Sequence, residues 1–158
     1  MDPVLTLILG SLIILAIIAA NGFFVAQEFA YMSVDRVRLQ TAAKAGDRAA
    51  ARALQVTRRT SFMLSGAQLG ITVTGLMVGY VAEPMVGAAL TELLGGTALP
   101  SEVVIAISTL GVLVVATLVQ MIIGELYPKN LAIANPEPLA RALALSLIHI
   151  SEPTRPLY

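Results

Sequence analysis

Residues 3–27 read PVLTLILGSLIILAIIAANGFFVAQ, 25 residues without Asp, Glu, Lys or Arg. A helix rises about 1.5 Å per residue and the hydrocarbon core of a bilayer is about 30 Å thick, so this stretch can cross it. Two further charge-free stretches follow: residues 60–82, TSFMLSGAQLGITVTGLMVGYVA, and residues 103–124, VVIAISTLGVLVVATLVQMIIG. The segments between them have opposite character. From Arg36 to Arg59 there are seven Lys/Arg and one acid, Asp47. Between the second and third stretches the only charges are Glu83, Glu92 and Glu102. Basic loops stay in the cytoplasm, so the reading is three crossings with the N-terminus outside and the C-terminus inside. The fold class predicted is an all-α membrane protein, integral to a bacterial-type plasma (inner) membrane.

Composition agrees. Of the 158 residues, 57% are hydrophobic and 13% charged, against roughly 45–50% and 25% in soluble domains. The net charge is zero, so no basic field recruits nucleic acid. There is no cysteine for disulfides or thiolate metal sites. No phosphate-cradling glycine loop, nucleophile–base pair or histidine cluster is present, and no enzyme is predicted. Asp2 is the sole charge before the first stretch, whereas a cleavable signal wants a basic start and a shorter apolar core. A retained helix is expected.

The basic segment 34–59 reads as a helical hairpin on the cytoplasmic side. Gly46 suits its turn, and Asp47 suits the N-cap of the second arm. Arg48 and Arg52 share one helix face, read as a solvated basic face beside lipid headgroups. Met85–Leu94 is expected as a short interfacial helix. Asn135-Pro136-Glu137 is a helix start, with Asn as cap and Pro in the first position, and the segment 136–145 is expected along the cytoplasmic membrane surface or in an inter-subunit collar.

Polar groups inside a bilayer are costly and face protein or water. Here they gather toward one side: Asn21, Gln27 and Glu28 in the first stretch, Gln68, Thr72 and Thr74 in the second, Gln120 and Glu125 at the end of the third. Gln68, Thr72, Gly75 and Gly79 fall on one helix face. Gly66–Gly70 and Gly75–Gly79 are small-xxx-small patterns, which read as helix-packing sites. For Gln68 and Thr72, interhelical hydrogen bonding and ligand coordination both stand open. Glu125 ends an apolar span and precedes Pro128, which is expected to break the helix near Gly124 and free carbonyl oxygens beside a carboxylate. Carbonyls, one carboxylate and water suit a hard cation such as Mg²⁺. The alternative is a carboxylate at the interface paired with Lys129, four residues on. For Glu28 the alternatives are cation contact or a salt bridge to the basic hairpin.

Three separated motifs resemble the membrane domain of the CNNM/CorC family, also called HlyC/CorC "hemolysin-like" proteins: Asn21–Ser33, NGFFVAQEFAYMS; Gln68–Gly75, QLGITVTG; and Gly124–Asn130, GELYPKN. The resemblance covers residues 2–145 and implies three transmembrane helices (about 3–27, 60–82 and 103–124), a juxtamembrane hairpin (34–59), a cytoplasmic belt and a homodimer. It also implies cytoplasmic CBS domains beyond this sequence. Family members are linked to Mg²⁺ and Co²⁺ efflux, with Na⁺ coupling proposed. The family's Mg²⁺ site uses a serine, an asparagine and the glutamate of the GE-x-x-PK motif. Only the glutamate is retained here, as Glu125. The serine position falls at about Gln27 and the asparagine position at Ile71 or Thr72.

The function expected is a divalent-cation transporter subunit with Mg²⁺ as the transported ion and no organic cofactor. Glu125 supplies charge, Gln27, Gln68 and Thr72 supply neutral oxygens, and Gly124 and Pro128 shape the broken helix. The alternative is a non-transporting membrane scaffold or regulator whose cytoplasmic domains act. A pore-forming toxin is disfavoured by the retained spans. The segment Leu145–Arg155, LSLIHISEPTR, resembles a translated sequencing-library adapter, so residues 146–158 are expected to be a non-native tail.

Overall fold

In the computed structural model, which describes residues 2–151, every regular element is helical. They are α1 (Pro3–Ser33), α2 (Arg36–Lys44), α3 (Arg48–Thr57), α4 (Thr60–Val81), α5 (Ala88–Leu94), α6 (Ser101–Val119), α7 (Tyr127–Ala134) and α8 (Pro136–Ser151). Two π-helical turns, Ala82–Gly87 and Gln120–Leu126, join α4 to α5 and α6 to α7. The result is three continuous rods, Pro3–Ser33, Thr60–Leu94 and Ser101–Ala134, each long and apolar enough to cross a membrane. Less than a quarter of each apolar span is buried inside the chain. Leu12, Leu69, Leu76, Leu110 and their neighbours face outward. So much outward apolar surface needs lipid rather than water around it. The chain is an integral membrane protein.

The rods correct three expectations. Helices do not end at Gln27, Ala82 and Gly124. Residues 85–94 are not a separate helix, and Pro128 does not break the third rod. The widened turns explain the last two. The Ala88 N–H reaches back five residues to the Glu83 carbonyl, and the Tyr127 N–H reaches back five to that of Ile122. Proline has no N–H to give and its ring crowds the carbonyl four residues back. One extra residue in the turn makes room for it, so Pro84 and Pro128 each perturb a single turn and the rod continues.

Two compact units are distinguished along these rods. The first contains the stretch up to Phe23 together with Gly70–Tyr127. Its core is Ile14, Ile17 and Ile18 from α1, Val78 and Ala82 from the second rod, and Val112 and Ala116 from α6. On the third rod a buried residue recurs every fourth position from Val104 to Ala116. That is the i±4 ridge by which helices interlock, and its members are small or β-branched.

The second unit contains Phe24–Leu69 and the described part of the stretch from Pro128. Here the hairpin of α2 and α3 packs with α8, and Leu39, Ala50, Ala53, Val56, Ala140, Ala144 and Leu147 form an ordinary apolar core. The hairpin reads as expected. Gly46 turns the chain with φ +97°, a conformation other residues resist. Asp35 and Asp47 cap α2 and α3 through their carboxylates. Asp47 does more than cap. Its Oδ1 accepts the Ala49 and Ala50 N–H groups at 2.9 and 3.1 Å. Its Oδ2 accepts Arg141 Nη1 at 2.6 Å, and Arg141 Nη2 also donates to Glu137 Oε1 at 2.6 Å. Tyr31, 3% exposed, donates its hydroxyl to the Ala140 carbonyl at 2.6 Å. α8 is thus tied to both α1 and α3. It begins at Pro136 as predicted and runs to Ser151; residues 152–158 of the expected tail lie outside the described residues.

Two measurements check this unit. Tyr31→Phe deletes a buried hydrogen bond and is expected to lower the unfolding free energy in detergent by about 1 kcal/mol; an unchanged midpoint would contradict the tie. The Ala50 N–H, foremost, and the Arg141 guanidinium hold the Asp47 carboxyl below its usual value, outweighing burial. A group lowered in the folded state stabilises above its ordinary value of 3.8 and loses that contribution as pH falls below it. Protection of the Ala49 and Ala50 amides, taken relative to the intrinsic exchange rate at each pH, is therefore expected to fall below that pH. Asp47→Asn keeps a capping oxygen and should flatten this dependence.

Candidate functional site

In the first unit the polar centre is Asn21, completely buried in α1. Its Nδ2 donates to the Gly124 carbonyl at 2.9 Å. Its Oδ1 accepts the Thr74 hydroxyl at 2.7 Å. One amide therefore joins all three rods. The assignment is internally fixed: a carbonyl can only accept, so the amide nitrogen must face Gly124, and the amide oxygen then faces the hydroxyl. Thr74 Oγ1 also lies 2.7 Å from the Gly70 carbonyl. Its single hydrogen is shared between that carbonyl and Asn21.

The Gly124 carbonyl needs Asn21 for a local reason. In a regular helix it would receive the N–H of residue 128, four positions on, but that residue is proline. The predicted freeing of a carbonyl by Pro128 is therefore realised, and Asn21 takes it up. Gly124 is also required by space. A Cβ there would lie 3.2 Å from Asn21 Nδ2 and 3.3 Å from Ile18 Cγ2. Gly75 is similar: a Cβ at that position would lie 3.2 Å from Gln120 Nε2.

The site residues expected from the sequence are placed as follows. Gly124 is buried in the Asn21 node. Glu125 and Thr72, of the same unit, are exposed on the surface of their rods. Gln68 is exposed in the second unit, and its Nε2 donates to Glu28 Oε1 at 3.3 Å. Glu28 thus has a glutamine as neighbour. Gln27 is 4% exposed, and its Oε1 has no hydrogen-bond partner among the described residues. Lys129, the alternative partner of Glu125, lies 4.8 Å over the Phe29 ring, a cation–π contact. Among the described residues no three His, Cys, Asp or Glu side chains gather into a metal-holding group.

Two corrections concern α4. The face shared by Gln68, Thr72 and Gly79 is its outward face; the buried stripe is Met63, Ala67, Thr74, Val78. Gly66 and Gly79 accordingly have open space around them, and the close approach expected there is not made within this chain. Of the polar residues grouped on this helix in the sequence, Thr74 is the one that bonds Asn21. The available signal was its register with the small and β-branched residues Ala67, Val78 and Ala82.

Comparison with known proteins follows the same outline. The family model for the cyclin M transmembrane N-terminal domain matches residues 12–157. The chain is 37% identical over 140 residues to the UPF0053 protein MT1890 of Mycobacterium tuberculosis, covering 89% of this chain and 31% of that protein. It is 32% identical over 144 residues to the UPF0053 protein sll0260 of Synechocystis, covering 91% and 32%. With the UPF0053 protein YhdT of Bacillus subtilis it shares 35% over 137 residues, 86% and 30%. The chain spans about a third of the length of these relatives. With three membrane-spanning rods, the Asn21–Gly124 node at its GE-x-x-PK segment and a family match over nearly its whole length, the chain belongs to the CNNM family of membrane proteins.

Proposed function

We propose that this chain is the membrane domain of a divalent-cation transporter subunit, with Mg²⁺ as the exported ion, Co²⁺ as a second substrate and Na⁺ as the coupling ion. It works as a homodimer, with the basic hairpin on the cytoplasmic side and the N-terminus outside. The observation that carries the reading is the Gln27 carbonyl oxygen. It is a buried acceptor without a donor among the described residues. Leaving such a group unsatisfied costs about 1–3 kcal/mol. A cation removes the cost, because it needs lone pairs and offers no competing acceptor. Gln27 also stands where the family resemblance has a ligand. Glu125 is the charged member of the set, and Gln68, Thr72 and Gly124 add neutral oxygens.

The scaffold reading is the alternative. It is favoured by the substitution of two family ligands, and by the Asn21 node, which accounts for several inner polar groups through helix–helix hydrogen bonds alone. Thermal unfolding of the detergent-solubilised chain across a Mg²⁺ series separates the two. A ligand at 100 times its dissociation constant stabilises by roughly 2.7 kcal/mol. Under the transport reading Mg²⁺ raises the midpoint, and Glu125→Gln abolishes the rise. No response in the wild type would overturn it. Gln27→Leu adds a sharper split. It replaces an unsatisfied polar group with an apolar one, so the midpoint without Mg²⁺ should hold or rise while the Mg²⁺ response falls.

A further inference from the structure

A recess of about 400 Å³ opens in the second unit, lined by Ser33, Asp35, Arg38, Asn135, Glu137 and the adjoining residues Ala134, Pro136 and Pro138. That volume lies in the range of small-molecule sites. It sits where two membrane rods end, α1 at Ser33 and the third rod at Ala134, and where α2 and α8 begin. α1 runs six residues, about 9 Å, beyond Gln27, the last residue of its charge-free stretch. A headgroup layer of about 5–8 Å flanks the hydrocarbon on each side, so Ser33 lies at the outer, aqueous edge of the headgroups.

The charges lining the recess are mixed and incompletely used. Asp35 Oδ1 accepts the Val37 and Arg38 N–H groups at 2.8 and 3.3 Å. Glu137 Oε1 accepts Arg141. The second oxygen of each carboxylate has no hydrogen-bond partner among the described residues, and Arg38 makes no ion pair there. One cation and two half-used carboxylates around a single opening do not suit a simple anion, which Asp35 and Glu137 would repel. Nor do they suit a bare cation, which Arg38 would repel. They suit a group carrying a phosphate and a primary ammonium together.

We propose that this recess binds a phosphoethanolamine group, the headgroup chemistry of phosphatidylethanolamine. Arg38 and the Ser33 hydroxyl take the phosphate; Asp35 and Glu137 take the ammonium. Nearby Arg36, which donates to Thr60 Oγ1 at 3.0 Å, supplies the general attraction to the phosphate layer at the start of α4. The discriminating element is the pair of acids. A primary ammonium donates three hydrogen bonds, a quaternary choline donates none, and phosphatidylglycerol brings no positive charge at all.

The test is lipid retention measured by native mass spectrometry on the whole chain, released from nanodiscs of phosphatidylcholine doped equally with phosphatidylethanolamine and phosphatidylglycerol. The wild type is expected to retain phosphatidylethanolamine about tenfold over either competitor, the ratio that one charge-assisted hydrogen bond supplies. Asp35→Asn with Glu137→Gln should remove the preference. Arg38→Gln should weaken phosphatidylethanolamine and phosphatidylcholine alike. Asparagine still caps α2, so Asp35→Asn alone gives a folded variant to read if the double variant unfolds. Equal retention of the three lipids by the wild type overturns the proposal, as does a preference that survives in the folded variants. A thermal series with free phosphoethanolamine identifies the source. Stabilisation matching that of the diacyl lipid assigns the recess to a soluble ligand of this chemistry, and stabilisation by the lipid alone assigns it to the bilayer.

Discussion

Inside a bilayer no water completes a missing hydrogen bond, so every backbone carbonyl must find its partner within the protein. Pro128 withdraws a partner from Gly124, and the architecture of the membrane helices follows from how that loss is met. The third rod widens by one residue over Gln120–Leu126. The freed carbonyl turns to Asn21 of α1, and Asn21 uses its remaining capacity on Thr74 of the second rod. A side chain at position 124 would displace this amide, which explains why the position is glycine. The three helices are therefore held in register by polar bonds, which orient them more sharply than apolar contact in an apolar solvent can.

The second unit obeys different physics. Its hairpin and α8 have a true apolar core of Leu, Ala and Val. Both helix starts of the hairpin are capped by aspartate, and the partners of Arg141 tie α8 back to the hairpin turn. These are the devices of a water-soluble domain, where burial itself drives packing. A unit built this way suits the surface of a bilayer. Tyr31 belongs to both regimes: it stands near the end of a membrane rod and bonds a carbonyl of α8.

Charge and function are arranged around the same geometry. The exposed Glu125 follows directly on the buried Gly124, so the node that repairs the helix also fixes where the carboxylate projects from its rod. Gln27 lies six residues beyond Asn21 on α1, buried with its Oε1 unpartnered among the described residues, where Asn21 is buried and bonded through both its amide oxygen and its amide nitrogen. The contrast separates an amide that joins helices from one whose oxygen has no donor among the described residues.

Much of this was legible in the residues. Charge-free length gave three spans, the Gly46-Asp47 pair gave the hairpin turn and its cap, and Asn135-Pro136 gave the start of α8. All are local properties, set by helix rise, backbone conformation and capping within a few residues. The motifs placed Gln27, Gly124 and Glu125 among the residues of interest for the same reason. What sequence periodicity did not give was the inward face of α4, and with it which of Thr72 and Thr74 bonds Asn21. In lipid the outward face is as apolar as the inward one, so hydrophobicity alone does not say which way a membrane helix turns. Nor did it say that a proline would widen a helix rather than end it. That depends on whether another helix brings a donor to the freed carbonyl, and only the tertiary structure places Asn21 beside Gly124.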